Sequence, residues 1–277
     1  MNKQKYLITI ILLVTVATIA SVVGIGYSLG WISSNRNLDA NGQSLSAEVP
    51  DNILISTNSS LNGVSTVPVA QMDNYDFSGR EDFSASGILI PVSYDGETFR
   101  YANIVDEDGH AQDPEDENDP TYSVVEVGKL QSYRYIKALY LATTNTEDKQ
   151  VYISRVNIRR GSAATSELYK AVRISFTYGD DTIVYRYPGE VSYPANGADS
   201  VMAADFAVDT DDIDPNDSDT TLIIDLDGVT VESDGSYTAS VESVVIQIWI
   251  EGSNRYAVVD YSGTGFIVEI EFALVES

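Results

Sequence analysis

Asp212, Asp214 and Asn216 stand at alternate positions in DTDDIDPNDSDT (209–220), the i, i+2, i+4 spacing that opens an EF-hand loop. Oxygen donors at that spacing suit Ca²⁺, a hard cation that takes about six to eight such ligands from flexible carboxylate-rich loops. Asp106 and Asp108, followed by Gly109, make a second partial match inside VDEDGHAQDPEDENDP (105–120). In the first loop Asp217 replaces the turn glycine and Ile223 occupies the place of the bidentate glutamate, so an EF-hand is excluded. Two readings stay open for both loops: a looser Ca²⁺ site, or a solvated acidic segment that keeps the surface soluble.

Catalytic chemistry finds little to work with, and the chain is not expected to be an enzyme. His110 is the single histidine and lies in an acidic loop, so neither an H-E-x-x-H zinc site nor a serine triad can be assembled. The chain has no G-x-S-x-G, P-loop or G-x-G-x-x-G signature between a strand and a helix. Paired carboxylates could hydrolyse a glycoside, but 42 acidic residues single out no pair. The 18 tyrosines, with Trp31 and Trp249, fit core and cross-strand positions better than a sugar cleft. Asn58-Ser59-Ser60 and Asn216-Asp217-Ser218 match the pattern for N-glycosylation.

Charge narrows the partners. Against 42 Asp and Glu stand 16 Lys and Arg, a net charge of −26, which repels nucleic acid and anionic membrane surfaces. There is no cysteine, hence no disulfide and no thiolate metal site. With 277 residues and 43% hydrophobic content the chain can bury one or two cores.

The N-terminus speaks to location. Lys3 and Lys5 precede residues 6–30, an uncharged run that as a helix, at ~1.5 Å per residue, matches the thickness of a bilayer core. The lysines place this end in the cytoplasm and everything beyond Trp31 outside, so membrane contact is expected only through residues 6–30. Its length suits a retained anchor, whereas Ser28-Leu29-Gly30 offers the small-x-small pattern of signal peptidase cleavage. Residues 1–30 are accordingly a signal peptide or a membrane anchor.

Beyond the junction the period changes to two. AVRISFTY (171–178) alternates Val172, Ile174, Phe176 and Tyr178, TIVYRY (182–187) alternates Ile183, Tyr185 and Tyr187, and Asp180-Asp181 is expected to turn between them. GFIVEIEFALV sets Phe266, Val268, Ile270, Phe272 and Leu274 against Glu269 and Glu271, a strand with one wet face. GILIPVSY (87–94), VYISRVNIRR (151–160), TLIIDLDG (221–228) and VVIQIWIEG (244–252) read as further strands. Asp234-Gly235 marks a hairpin, and SELYKA (166–171) reads as a short helix. The expected fold is all-β: two packed antiparallel sheets, a sandwich or jelly roll, over residues 42–277.

In order along the chain, GYSLGWISSN, LDANGQSLSAEVPDNILIST (38–57), ELYKAVRISF (167–176), IQIWIEGSN (246–254) and FIVEIEFAL (266–274) resemble TasA/camelysin-type secreted proteins. The resemblance spans leader to last strand, with gaps at both acidic loops, and departs in lacking the usual Ala before the aromatic residue at the junction. It implies a jelly-roll β-sandwich exported to the cell surface, often as the subunit of an extracellular fibre or biofilm matrix filament. It also implies that the segment after the leader completes a neighbour's sheet. Proteolysis, attributed to some relatives, has no matching motif here.

Strand physics gives that implication a mechanism. An open sandwich has unpaired edges that must be protected or else accept another strand. Residues 31–41 are the candidate donor: pairing along a neighbour's edge would bury Trp31, Ile32 or Leu38, and a head-to-tail contact that does not close makes a homopolymer. The other readings are a membrane-anchored monomeric surface protein or adhesin, and, with less to support it, a carbohydrate-active module.

Overall fold

The structure, a computed structural model, describes residues 43–83, 89, 91–94, 99–102, 122–125, 127–161, 166–190, 207–211, 213–217, 219–252, 254, 256, 257 and 265–275. In chain order the strands begin with β1 (Ser44–Glu48), β2 (Ile53–Ser56), β3 (Thr66–Pro68), β4 (Arg80–Phe83), β5 (Ser93–Tyr94), β6 (Phe99–Ala102) and β7 (Tyr122–Val124). There follow β8 (Arg134–Thr143), β9 (Lys149–Arg160), β10 (Val172–Tyr178), β11 (Asp181–Arg186) and β12 (Ala207–Asp209). The last are β13 (Ile223–Leu226), β14 (Thr230–Val231), β15 (Tyr237–Ser240), β16 (Glu242–Ile250) and β17 (Phe266–Leu274). Helical structure among the described residues is confined to short 3-10 turns, so these residues are mostly β, as their alternation predicts. No described helix is long and apolar enough to cross a membrane, and the leader, residues 1–30, lies outside the described residues.

Two large sheets carry the core. One has five strands in the order β13-β9-β17-β1-β4, the other six in the order β12-β11-β10-β16-β8-β2. Alternate side chains of both point into one cluster: Leu45, Val151, Ile153, Val156, Ile158, Phe266, Val268 and Ile270 from the first meet Leu139, Leu141, Ile174, Phe176, Ile246 and Ile248 from the second. Because successive strand residues face opposite ways, this shared cluster fixes the register of every strand that enters it. The interior faces read from sequence for β10, β11 and β17 are those observed, except that Leu274 lies exposed at the strand end.

The outer faces of the two sheets differ. The five-stranded sheet turns a charged face to solvent, with Glu271 of β17 opposite Arg155 of β9 and Glu269 opposite Asn157 and paired diagonally with Arg159. The six-stranded sheet is covered on its outside as well. Near its β2 edge, Tyr140 and Ala142 of β8 pack under the β14-β15-β3 sheet and the segment around Met72. Toward its other edge, Trp249, Val184 and Ala207 pack under the β5-β6-β7 sheet through Phe99, Val92 and Val125. The outward residues Arg173 and Ser175 of β10 are therefore buried too, where alternation alone predicts a wet face. Period two reveals which residues share a face but not whether a second layer lies over it.

Local chemistry sets the turns. The β10–β11 reversal falls on Gly179-Asp180, one residue earlier than the expected Asp180-Asp181, since Gly179 takes a φ of +59° and β11 already begins at Asp181. The Asp234-Gly235 hairpin forms as expected, with Gly235 at φ +84° and Asp234 Oδ1 accepting the Ser236 N–H at 2.9 Å. The predicted helix at 166–171 is one 3-10 turn, Leu168–Ala171, feeding straight into β10. Gly228 lies against the 145–148 turn, its N–H bonded to Asp148 Oδ1 at 2.9 Å, and a Cβ there would sit 2.5 Å from the Thr146 carbonyl oxygen. Gly228→Ala should cost about 1–3 kcal/mol by overpacking against backbone. Urea unfolding checks this, and an unchanged midpoint would mean that the turn yields freely.

Candidate functional site: the sheet margins and the acidic loop

Among the described residues, the margins of the two sheets are features that could carry function. On one flank the sheets are stitched together. Ile55 of β2 donates its N–H to the Ser78 carbonyl at 2.7 Å, and Ser78 returns the bond to Ile55 at 2.8 Å, just before the chain enters β4. β4 itself presents Arg80 and Asp82, joined at 3.0 Å, and charge of this kind discourages strand addition. On the opposite flank the sheets end at β13 and β12, neither with a second strand neighbour among the described residues. The chain from β12 to β13 crosses between them through the acidic segment.

Side chains reach across this flank. The Tyr185 hydroxyl of β11 donates to the Thr220 carbonyl at 3.0 Å, and the Tyr178 hydroxyl of β10 donates to the Asp225 carbonyl of β13 at 3.3 Å. Burial pushes the Tyr178 hydroxyl up to about 12, helped by Glu242 and Asp225 nearby. Burial raises Tyr185 further still. Both phenols thus resist ionisation while they hold edge carbonyls.

Two carboxylates of the acidic segment, Asp214 and Asp217, serve its own turns. Asp209, read from sequence as loop, instead closes β12, its Oδ1 accepting from Arg186 Nε at 2.6 Å and its Oδ2 from the Gly189 N–H at 3.1 Å. Asp214 Oδ1 accepts the Asn216 backbone N–H at 2.9 Å and its side-chain amide at 3.1 Å. Asp217 Oδ1 accepts the Asp219 N–H at 2.9 Å, and Thr220 Oγ1 accepts the Asp214 N–H at 3.1 Å. Of the expected Ca²⁺ ligands, the structure brings Asp214 and Asn216 together, while Asp106, Asp108 and Asp212 lie outside the described residues. Among the described residues no three His, Cys, Asp or Glu side chains converge as a metal group would require. Trp31, Ile32 and Leu38 of the candidate donor segment also lie outside them.

The chain enters the fold in the middle of a sheet. β1 lies between β17 and β4, parallel to β17 with Ser44 beside Ile267 and Glu48 beside Glu271. Residue 43 therefore approaches from the pole where β17 starts, and the described chain ends at the other pole. The outward side chains of β1 there are Ser44 and Ser46, small enough to leave a groove of about 510 Å³ walled by Arg80 and Asp82 on one side and Arg159 and Glu269 on the other. Arg159 binds Glu269 through Nη2 to Oε1 at 2.6 Å, which holds that carboxyl below its ordinary range. The walls are paired charges of both signs.

One grouping was invisible in the sequence. Pairing registers align Arg134, Trp249, Arg173, Arg186 and Asp209 in a single row across β8, β16, β10, β11 and β12. Arg173 is fully buried, its Nη1 donating to the Lys170 and Val172 carbonyls at 3.2 and 3.1 Å and its Nη2 to the Glu190 carbonyl at 2.9 Å. Burial lowers its pKa to about 10, and nearby Glu251 acts in the opposite sense. Glu251 is itself buried and accepts hydrogen bonds from Ser93 Oγ and, at 3.2 Å, Trp249 Nε1. Arg134 caps the row over the Phe99 ring at 5.1 Å. Each member lies on a different strand, so only pairing register could have shown it.

No family model, curated protein or solved structure matches this chain.

The tyrosines at the open flank give a pH signature. A phenol whose folded pKa is raised above its unfolded value of 10.0 contributes stability that is intact below pH 10 and is lost as pH rises toward about 12. Tyr178 and Tyr185 should thus steepen the alkaline fall of the thermal midpoint, and a double Tyr178→Phe, Tyr185→Phe variant should flatten it. Thermal melts between pH 8 and 12 measure the difference; parallel curves would show that neither phenol is linked to folding.

Proposed function

We propose that the chain is the structural subunit of an extracellular filament, a jelly-roll β-sandwich of the TasA/camelysin kind. In this reading residues 31–41 of one copy add a strand to the sheet of the next. The observation that carries the reading is the asymmetry of the flanks: one is stitched through Ile55 and Ser78, and the other ends in β12 and β13 with no further strand neighbour among the described residues. An exposed edge is a template for another strand. The position of β1, with residue 43 at the pole where β17 starts, supports the reading. A segment of 11 residues ahead of residue 42, extended at ~3.3 Å per residue, reaches ~36 Å from one pole, enough to lie along a neighbour. Donor and acceptor then belong to different surfaces, so the contact is heterologous and propagates head to tail.

A net charge of −26 on every copy works against assembly unless salt or bound cations screen it. Here the acidic loops have their place, with Ca²⁺ bound by side-chain oxygens of 105–120 and 209–220, the Asp214 carboxylate and the Asn216 amide oxygen among them, lowering the repulsion between neighbours. The uncharged run at 6–30 is long enough to support a second reading, a membrane-anchored monomeric surface protein.

Two experiments follow. Mature protein lacking residues 31–41 should unfold cooperatively like the parent yet remain monomeric under conditions in which the parent polymerises; filaments of the deletion variant in electron micrographs would refute donation from this segment. The thermal midpoint of the purified ectodomain should rise in millimolar Ca²⁺ relative to chelator. An identical midpoint in both removes the calcium role while leaving strand donation standing.

A further inference from the structure

The sequon Asn58-Ser59-Ser60 follows β2 after one residue, Thr57, on the stitched flank. Asn58 is half-buried, and Ser59 and Ser60 are exposed. Its backbone bonds are local: the Asn58 N–H goes to Ser56 Oγ at 3.1 Å, the Asn58 carbonyl accepts from Leu61 at 3.0 Å, and the Ser59 carbonyl accepts from Asn62 at 3.2 Å. An enzyme can therefore engage this turn without unzipping a sheet ladder. Asn58 Oδ1 accepts the Ser60 N–H at 2.9 Å, which folds the third residue of the sequon back against the side-chain amide. The amide nitrogen points outward, donating to Oδ2 of the exposed Asp76 at 3.1 Å. The second sequon is less suitable: the Asn216 amide is bound to Asp214 Oδ1 at 3.1 Å inside a turn crowded with carboxylates, and its middle residue is Asp217.

From this geometry we infer that Asn58 is an acceptor for an N-linked glycan. The inference rests on the reading of the chain as exported. The donor is a lipid-linked sugar phosphate or pyrophosphate, presented with its transferase on the outer side of the membrane. Asn58 Nδ2 forms a bond to the anomeric carbon as the bond from that carbon to the phosphate oxygen breaks. The phosphate leaves with the electron pair, and the amide proton passes to a carboxylate of the transferase. Nothing is oxidised or reduced. A glycan here would cover the stitched flank and leave the margin at β12 and β13 clear.

Trypsin separates the two sequons, because no Lys or Arg lies between Arg36 and Arg80 or between Arg186 and Arg255. Peptide mass mapping of protein isolated from the organism that makes it should find a glycan mass on the peptide 37–80. That mass should be lost in Asn58→Gln and in Ser60→Ala and kept in Ser60→Thr, with all variants folding like the parent by circular dichroism. An unmodified 37–80 peptide, or a glycan on 187–255 alone, overturns the assignment. Cell fractionation scores export separately: unmodified protein at the surface removes the glycan and keeps export, and protein confined to the cytoplasm removes both.

Discussion

Trp249 and Ile250, consecutive residues of β16, are both inaccessible to solvent although they face opposite sides of the same sheet. That can happen only where a sheet is covered on both faces, and the architecture follows from it. Ile250 joins the core shared with the five-stranded sheet. Trp249 needs a second cover, which β5, β6 and β7 provide through Phe99 and Tyr94, whose ring centroids each lie 5.5 Å from its own. Its indole N–H, excluded from water, finds Glu251, and the carboxylate in turn finds Ser93 on the covering sheet. Buried polar groups of this kind tolerate little misplacement, since an unsatisfied one costs about 1–3 kcal/mol. The small sheet is thus seated by hydrogen bonding as well as by apolar contact.

Polar burial on one sheet contrasts with polar exposure on the other. The five-stranded sheet leaves Arg155, Arg159, Glu269 and Glu271 in water, where such pairs contribute at most about 1 kcal/mol each. Their main effect is to keep that face soluble and unattractive to sheet stacking. The face is also close to charge balance, unlike the molecule as a whole. Any approach between copies of so acidic a chain meets less repulsion here than at the acidic loops.

How much of this could be read beforehand depended on whether the information was local. Alternation in β10, β11 and β17 named the residues of the main core because period two is written along each strand, and Asp234-Gly235 named its hairpin because the turn demands a positive φ. The cover over Arg173 could not be read, since it depends on strands far away in sequence meeting the outer face. Nor could the row from Arg134 to Asp209, whose members come from five strands. For the candidate site, the acidic spacing brought forward Asp214 and Asn216, which do touch, through an Asx turn in the loop itself. Local pattern cannot distinguish a carboxylate that caps its own turn from one that faces a ligand.

The parallel pairing of β1 with β17 has one more consequence. Ser44 lies beside Ile267, so the first described strand cannot take its place until the last has been made. Loop closure over that span is entropically slow, and the intermediate lacks a central strand of one sheet. A ribosome that releases the chain from its N-terminus onward thus delivers a polypeptide whose five-stranded sheet stays unfinished until β17 emerges. Such late closure leaves the five-stranded sheet without its join between β9-β17 and β4 until the last described strand is available.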